Sequence, residues 1–468
     1  MIDKMICFRE DSLISVLKII NDNSMGIAFV VDRNSRLCGT ITDGDIRRVL
    51  IADIKLDEKV GNIISDGFVY GIEGESYKSL MQKISYKVKI IPIVNKMNQV
   101  IDFFEYKQNI YFPVAVPNLN GNEFKYLTDA FMSSWISSSG EYIDRFEESF
   151  SQYCGTQYGI AVSNGTAALH LALLALDITA GDEVIIPDLT FAATINSVLH
   201  TNATPVIVDI EEDSWCISPV EIEKAITKKT KVIIPVHLYG QVCDMDSIMK
   251  IAKKYNLKVI EDCAQAHGAM YDNKKVGSFG DIGCFSFYGN KVITTGEGGM
   301  CTTNSQILND KIRILRDHGM SKTKRYWHDV IGYNYRLTNL QAAIGLAQLE
   351  RIEYIHQNRF KYEIEYKKVL DNSNFVFQKD LEKRKRITWL VSILISQNID
   401  KEQFMYKLKD KGIDARNFFY PLSDMDIYKQ YCKRYTTVSH KVSKSGFNLP
   451  TYESLKSTAE IIKIIESI

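Results

Sequence analysis

Between about residues 159 and 299, short apolar runs alternate with stretches of helical character, and few folds accommodate that alternation. The runs at 160–162, 183–186 and 257–260 read as buried strands. Strands separated by helices predict a parallel sheet in an α/β fold. One crossover helix is well marked: Ser218 is a cap, Pro219 fits the first turn, Glu221 takes the box position, and Ile222, Ala225 and Ile226 then face inward. Ligand sites in open parallel sheets lie at the carboxyl ends of the strands, so the residues just after each run are the first candidates for chemistry.

Four of those segments fit together. In SNGTAALHLAL, a strand passes through a glycine turn into a helix. A helix N-terminus offers unpaired N–H groups and partial positive charge, which suits a phosphate dianion; Gly165 lets the anion approach and Thr166 adds a hydroxyl. In PDLTFAAT, Phe191 can stack on an aromatic ring, although by itself it reads equally as core. In EDCAQAHG, Asp262 falls at a strand end, where a carboxylate can pair with a protonated pyridine nitrogen; Gln265 is within reach of a ring hydroxyl. An isolated Asp there also serves as a helix cap. In FSFYGNKVITTGEGG, Lys291 follows the apolar run 284–288. A lysine held partly desolvated has a lowered pKa and a free amine for Schiff-base chemistry. Each segment has an ordinary structural explanation. Their order, anion turn, aromatic, carboxylate and amine, matches the needs of one pyridoxal 5′-phosphate site.

Composition narrows the setting. The 468 residues carry 57 Lys plus Arg against 57 Asp plus Glu, a net charge of zero, which gives no electrostatic case for nucleic acid or an anionic membrane. No leader-like or membrane-spanning run stands out, and a cytoplasmic location is expected. Nine scattered cysteines without a C-x-x-C pair read as reduced thiols, and eight histidines without ligand spacing indicate no metal site.

Residues 1–107 read separately. Two units of similar pattern follow each other: helix over 12–21, strands over 26–31 and 37–41, helix over 45–51, then helix near 77–84 and strand over 88–94. This repetition resembles a tandem CBS pair, and GTITDGDIRR matches that family's G-x-x-T-x-x-D pattern. The resemblance implies an adenine or guanine nucleotide held through Thr42 and Asp45, with a purely structural or dimer-contact role equally open. The second unit lacks the pattern. After a short connection at 105–112, the body divides into a large part over 111–350 and a small α/β part over 351–468.

The motifs SNGTAALHLAL, EDCAQAHG, FSFYGNK with TGEGG, and GYNYRLTNLQAAIGLAQLERI together resemble the DegT/DnrJ/EryC1/StrS family of sugar aminotransferases, over about 111–468. The resemblance implies a fold-type I pyridoxal phosphate enzyme acting as a homodimer. It implies that Lys291 bonds the cofactor and moves protons, Asp262 pairs with the pyridine nitrogen, and Gln265 neighbours the ring oxygen. Gly165, Thr166 and Ser286 hold the phosphate, and Asn334 reaches the phosphate of a neighbouring subunit. Segments 135–146, 324–329 and 416–421 point to members that aminate GDP-4-keto-6-deoxymannose with L-glutamate as donor. Ser423 departs from the histidine found there in relatives, which leaves the sugar contacts open. His237, His267, Trp327 and His328 are candidates for lining the sugar pocket, and His170 reads as core. Amination of another keto sugar is the alternative. Lys291 argues against the dehydratases of this fold, which carry histidine there. A nucleotide-sensing regulator with an inactive body is the remaining reading.

Overall fold

The computed structural model describes residues 2–52, 54–64, 67–85, 88–105, 112–372, 374–455 and 458–468. Most of the connection expected at 105–112 lies outside them. Backbone contacts divide the chain into two compact units, Met1–Asn109 and Ile110–Ile468. Among the described residues, no helix is long and apolar enough to cross a membrane.

The first unit repeats one arrangement. Its first half forms a three-stranded sheet of Ile6–Phe8, Ile27–Val31 and Leu37–Thr42. The helices Leu13–Asn23 and Asp43–Ile51 pack against it through Leu13, Val16, Ile20 and Ile46. The second half builds Gly71–Ile72, Ile90–Val94 and Val100–Glu105 into a second three-stranded sheet. In both, a parallel pair is followed by an antiparallel hairpin.

The second unit is built on a seven-stranded sheet. Its strands are β1 (Tyr158–Val162), β2 (Glu183–Pro187), β3 (Thr204–Val208), β4 (Thr230–Ile233), β5 (Lys258–Asp262), β6 (Ile282–Ser286) and β7 (Gly299–Thr303), in spatial order β1-β7-β6-β5-β4-β2-β3. Side chains alternate between two cores, as a sheet covered on both faces requires. Val184 and Ile186 point into one layer and Ile185 into the other. The expectation of a parallel sheet needs one correction: β7 runs antiparallel to both β6 and β1. The twelve residues between β6 and β7 contain no helix to make a crossover, so the chain turns back on itself. The crossover helix Pro219–Ala225 is capped as expected by the Ser218 hydroxyl, but Glu221 turns to Lys224 at 2.7 Å.

The small part after β7 packs helices Ile352–Leu370, Lys401–Asp410 and Ala459–Glu466 against a four-stranded antiparallel sheet. Its central strands are Val391–Ile395 and Gly446–Leu449, paired antiparallel from Val391 opposite Leu449 to Leu394 opposite Gly446.

A buried carboxylate ties the edge of the large sheet together. Glu147, on the helix Glu141–Cys154, accepts from Ala161 N–H at 2.8 Å, Arg316 at 2.7 Å and Arg313 at 2.7 Å. Removing it leaves two guanidinium groups without a counter-charge, bonded only to neutral oxygens of Asn309, Gly159 and Ala161. Glu147→Ala should destabilise the unit by about 3 kcal/mol, read as a lower urea midpoint at unchanged m-value.

Candidate active site

At the carboxyl end of β1 the chain turns through Ser163 and Asn164 into the helix Gly165–Ala175. Asn164 caps it, its Oδ1 accepting from Ala167 N–H at 2.8 Å. This leaves the first-turn N–H groups of Gly165 and Thr166 without an intrahelical partner. A side chain at Gly165 would sit 2.8 Å from Ser286 Cβ, so glycine is needed for the helix end to lie against β6. The Ser286 hydroxyl thereby comes beside the helix N-terminus.

Asp262 ends β5 and is 5 % exposed. Its carboxylate accepts from the Thr194 hydroxyl at 2.9 Å and from Ala264 N–H at 3.2 Å, the second a turn-capping bond. Burial pushes its carboxyl above the ordinary range, and those hydrogen bonds with the charges of Lys291 and His237 oppose the shift. Lys291 lies in the loop after β6. Burial pulls its ammonium down to about 8, against the support of Asp262. Its Nζ lies 4.2 Å from the centre of the Trp389 ring.

These groups line one cavity of about 600 Å³, which also holds Gly165, Thr166, Phe191, Gln265 and Ser286. Phe191 is 58 % exposed, which excludes the core reading, and its ring centre is 5.8 Å from that of Phe419. Gln265 accepts from Tyr239 N–H at 2.9 Å through its Oε1, which leaves its amide N–H groups to face the cavity. Asn334 is exposed and outside this lining.

None of the four candidate sugar-pocket residues lines this cavity. His237 is fully buried between Cys243 N–H at 3.2 Å and Glu261 at 3.3 Å. His267 is also fully buried, bonded to Ser286 O at 2.9 Å, and burial pulls its pKa to about 3. Neither lines the cavity. His237 lies in the segment after β4 and His267 in the turn after β5, each held by its own buried hydrogen bonds. Trp327 and His328 stand exposed on a loop away from the lining, with Lys324 over the Trp327 ring at 4.0 Å. His237, Glu261 and Cys263 do bring three ligand-type atoms within 4.8 Å of each other. Glu261, however, already accepts from Gly277, Phe279 and Gly280 N–H groups.

Other residues at the site carried no local signal. Thr194 closes the PDLTFAAT segment, three residues after Phe191, and Trp389 comes from the small part of the unit. His170, read as core, lines the cavity wall and bonds Tyr335 at 3.3 Å. Only a pattern spanning Thr166 and His170, one helical turn apart, could have indicated that shared face.

In the first unit, Thr42 and Asp45 form a capping box: Thr42 N–H and hydroxyl donate to Asp45 Oδ2 at 2.8 and 2.7 Å, and Asp45 N–H donates back at 3.2 Å. They also line a cavity of about 900 Å³ with Arg48, Phe68 and Lys89.

The active-site cavity fits pyridoxal phosphate. It joins free helix N–H groups and a hydroxyl for the phosphate, an anion for the ring nitrogen, and an amine of lowered pKa, in a volume suited to a small ligand. Comparison with known proteins agrees. Residues 117–468 match the DegT/DnrJ/EryC1/StrS aminotransferase family and residues 1–52 match the CBS domain. The chain belongs to the DegT/DnrJ/EryC1/StrS family and is a pyridoxal phosphate-dependent sugar aminotransferase. It is 47 % identical over 359 residues to GDP-perosamine synthase of Escherichia coli O157:H7, covering 76 % of this chain and 98 % of that protein. It is 44 % identical to that of Caulobacter vibrioides, covering 76 % and 96 %. The fold superposes on an aminotransferase from Psychrobacter cryohalolentis with a TM-score of 0.69 at 31 % identity, over 75 % of this chain and 97 % of that one.

Competition labelling of the cofactor-free protein with acetic anhydride, read by peptide mass at Lys291, should titrate with a midpoint near 8, against about 10.4 for a solvated lysine. Asp262→Asn removes the anion that supports the ammonium and should lower that midpoint; a midpoint that stays put or rises would show the two groups to be uncoupled.

Proposed function

We propose that this enzyme transfers an amino group from L-glutamate to C4 of GDP-4-keto-6-deoxymannose and produces GDP-perosamine. The carrying observation is the near-half identity to GDP-perosamine synthases along almost their whole length. The single cavity joining Lys291, Asp262 and the Gly165 helix end supports the chemistry.

In this reading Gly165, Thr166 and Ser286 bind the cofactor phosphate, Phe191 stacks on the ring, and Gln265 faces its oxygen. Bound there, pyridoxal phosphate supplies an electron sink for charge developing at the donor's α-carbon. Asp262 keeps a negative charge at the cavity floor, and Thr194 holds that carboxylate in place. Lys291 Nζ takes the α-proton of glutamate in the first half-reaction and delivers a proton to the sugar's C4 in the second. A pKa near 8 suits both tasks, because each protonation state is accessible near neutral pH. Asn334 extends to the phosphate site of a second copy, so the working unit is a homodimer. The chain divides into 1–107, 111–350 and 351–468, acts in the cytoplasm, and its product enters a surface polysaccharide.

Lys291→Ala should keep the fold and abolish turnover; detectable transamination by that variant would refute the role given to Lys291. Incubation of the wild type with glutamate and a panel of 4-keto nucleotide sugars, with products read by mass, tests the substrate. Amination of a different sugar in preference to the GDP-linked one would replace the assignment.

For the first unit the reading is a nucleotide-binding CBS pair, with Thr42 and Asp45 at the ribose. The cavity they line, with Arg48 and Lys89 beside it, supports this. Calorimetric titration of the full chain with adenine and guanine nucleotides should give binding that Asp45→Ala removes. No heat at millimolar nucleotide would leave the unit a structural role.

A further inference from the structure

The loop that carries Lys291 has to hold a flexible side chain at one place. It closes on itself through Lys291 N–H to Tyr288 O and Thr295 N–H to Phe287 O, both 2.9 Å, and two of its carbonyls are held in addition by side chains from the small part of the unit. Arg359, on the helix Ile352–Leu370, is 3 % exposed. Its Nη1 donates to the Trp389 carbonyl at 2.5 Å, and its Nη2 donates to the Lys291 carbonyl at 3.4 Å. Trp389 completes the arrangement. Its indole N–H donates to the Asn290 carbonyl at 2.7 Å, while the same ring lies 4.2 Å from Lys291 Nζ. Tyr239 stacks on Trp389 with planes 16° apart, which limits movement of the indole. Consecutive carbonyls, at 290 and 291, are thus held by two side chains, one of which also bonds the backbone carbonyl of the other's residue.

A buried guanidinium is a costly way to fill space, and a well-packed hydrocarbon would serve better if packing were the only need. Arg359 has Glu453 as its counter-charge, yet burial still pulls its pKa to about 10. A planar fork can donate to two carbonyls at once, which neither a hydrocarbon nor an ammonium can reproduce in the same geometry. Reacting groups displaced by an ångström lose much of their rate, so the value of such a fork is positional.

We propose that Arg359, acting with Trp389 as a clamp on the backbone of residues 290 and 291, is a positioning residue for the amine of Lys291. The inference rests on the reading of Lys291 as the cofactor-bonding lysine. The competing account is that Arg359 merely docks its helix onto the large part of the unit.

The test compares Arg359→Ala and Arg359→Lys with the wild-type holoenzyme. Arg359→Ala should lower kcat roughly 100-fold with the KM for the nucleotide sugar within about threefold of wild type. Millimolar guanidinium should restore part of kcat, and sodium chloride at the same concentration should not. In the cofactor-free form, acetic anhydride labelling of Lys291 should show a midpoint higher by about one pH unit or more, because water enters the space the guanidinium filled and relieves the burial that lowers it. A docking role would lower stability without specific rescue and without moving that midpoint. Wild-type kcat, absent guanidinium rescue or an unmoved midpoint would each overturn the proposal. If Arg359→Ala does not fold, Arg359→Lys decides: one ammonium cannot span both carbonyls, so kcat should fall about tenfold, and wild-type kcat would overturn the clamp. Borohydride reduction of the wild type separates the two readings. Cofactor mass missing from Lys291 removes the premise, whereas mass present with an undisturbed Arg359 variant removes only the clamp.

Discussion

An ammonium and a carboxylate face each other at the carboxyl end of the large sheet, where neither is well solvated. Their mutual support is the interaction that the site depends on. Burial disfavours both charges: it pushes Asp262 up and pulls Lys291 down. Each keeps the other closer to its ionised form, and the Thr194 hydroxyl and Ala264 N–H fix the carboxylate. The result is an amine that is available at moderate pH beside a fixed anion, which is the electrostatic setting proton transfer requires.

The sheet makes that pairing possible. β5 and β6 are adjacent and parallel, so Asp262 and the loop after Ser286 emerge at the same edge. The Gly165 helix end arrives there because β1 lies in the same sheet, and the absence of a Cβ at Gly165 lets it close on Ser286. The small part of the unit contributes from the other side. Trp389 and Arg359 lie about a hundred residues or less beyond Lys291 in the chain and meet it only through packing.

Several elements were readable before any coordinates, and the reasons are physical. The apolar runs of β1 and β5 lead to Gly165, three residues on, and to Asp262, types with strong positional meaning. The Ser218-Pro219 start of a helix is local hydrogen bonding and needs no tertiary information. The reversed direction of β7 was not readable, because an apolar strand looks the same in either sense. That His237 and His267 lie outside the cavity lining was not readable for a related reason: a histidine beside a functional motif gives no local indication of whether its ring turns to the cavity or into the core. Phe191 had two readings, and its exposure of 58 % at the cavity decided between them. In the first unit, Thr42 and Asp45 were found by pattern, whereas their reciprocal capping bonds came only with the helix they start.

The sequence by itself determined the residue types of the site, their order along the chain and the family to which they point, because those depend on local periodicity and on the chemistry of single side chains. The tertiary structure alone decided which of them share a cavity, how far burial moves Lys291 and Asp262, and which distant groups hold the loop still. Those properties arise from desolvation and from contacts between segments far apart in sequence, and neither is encoded in any short stretch of the chain.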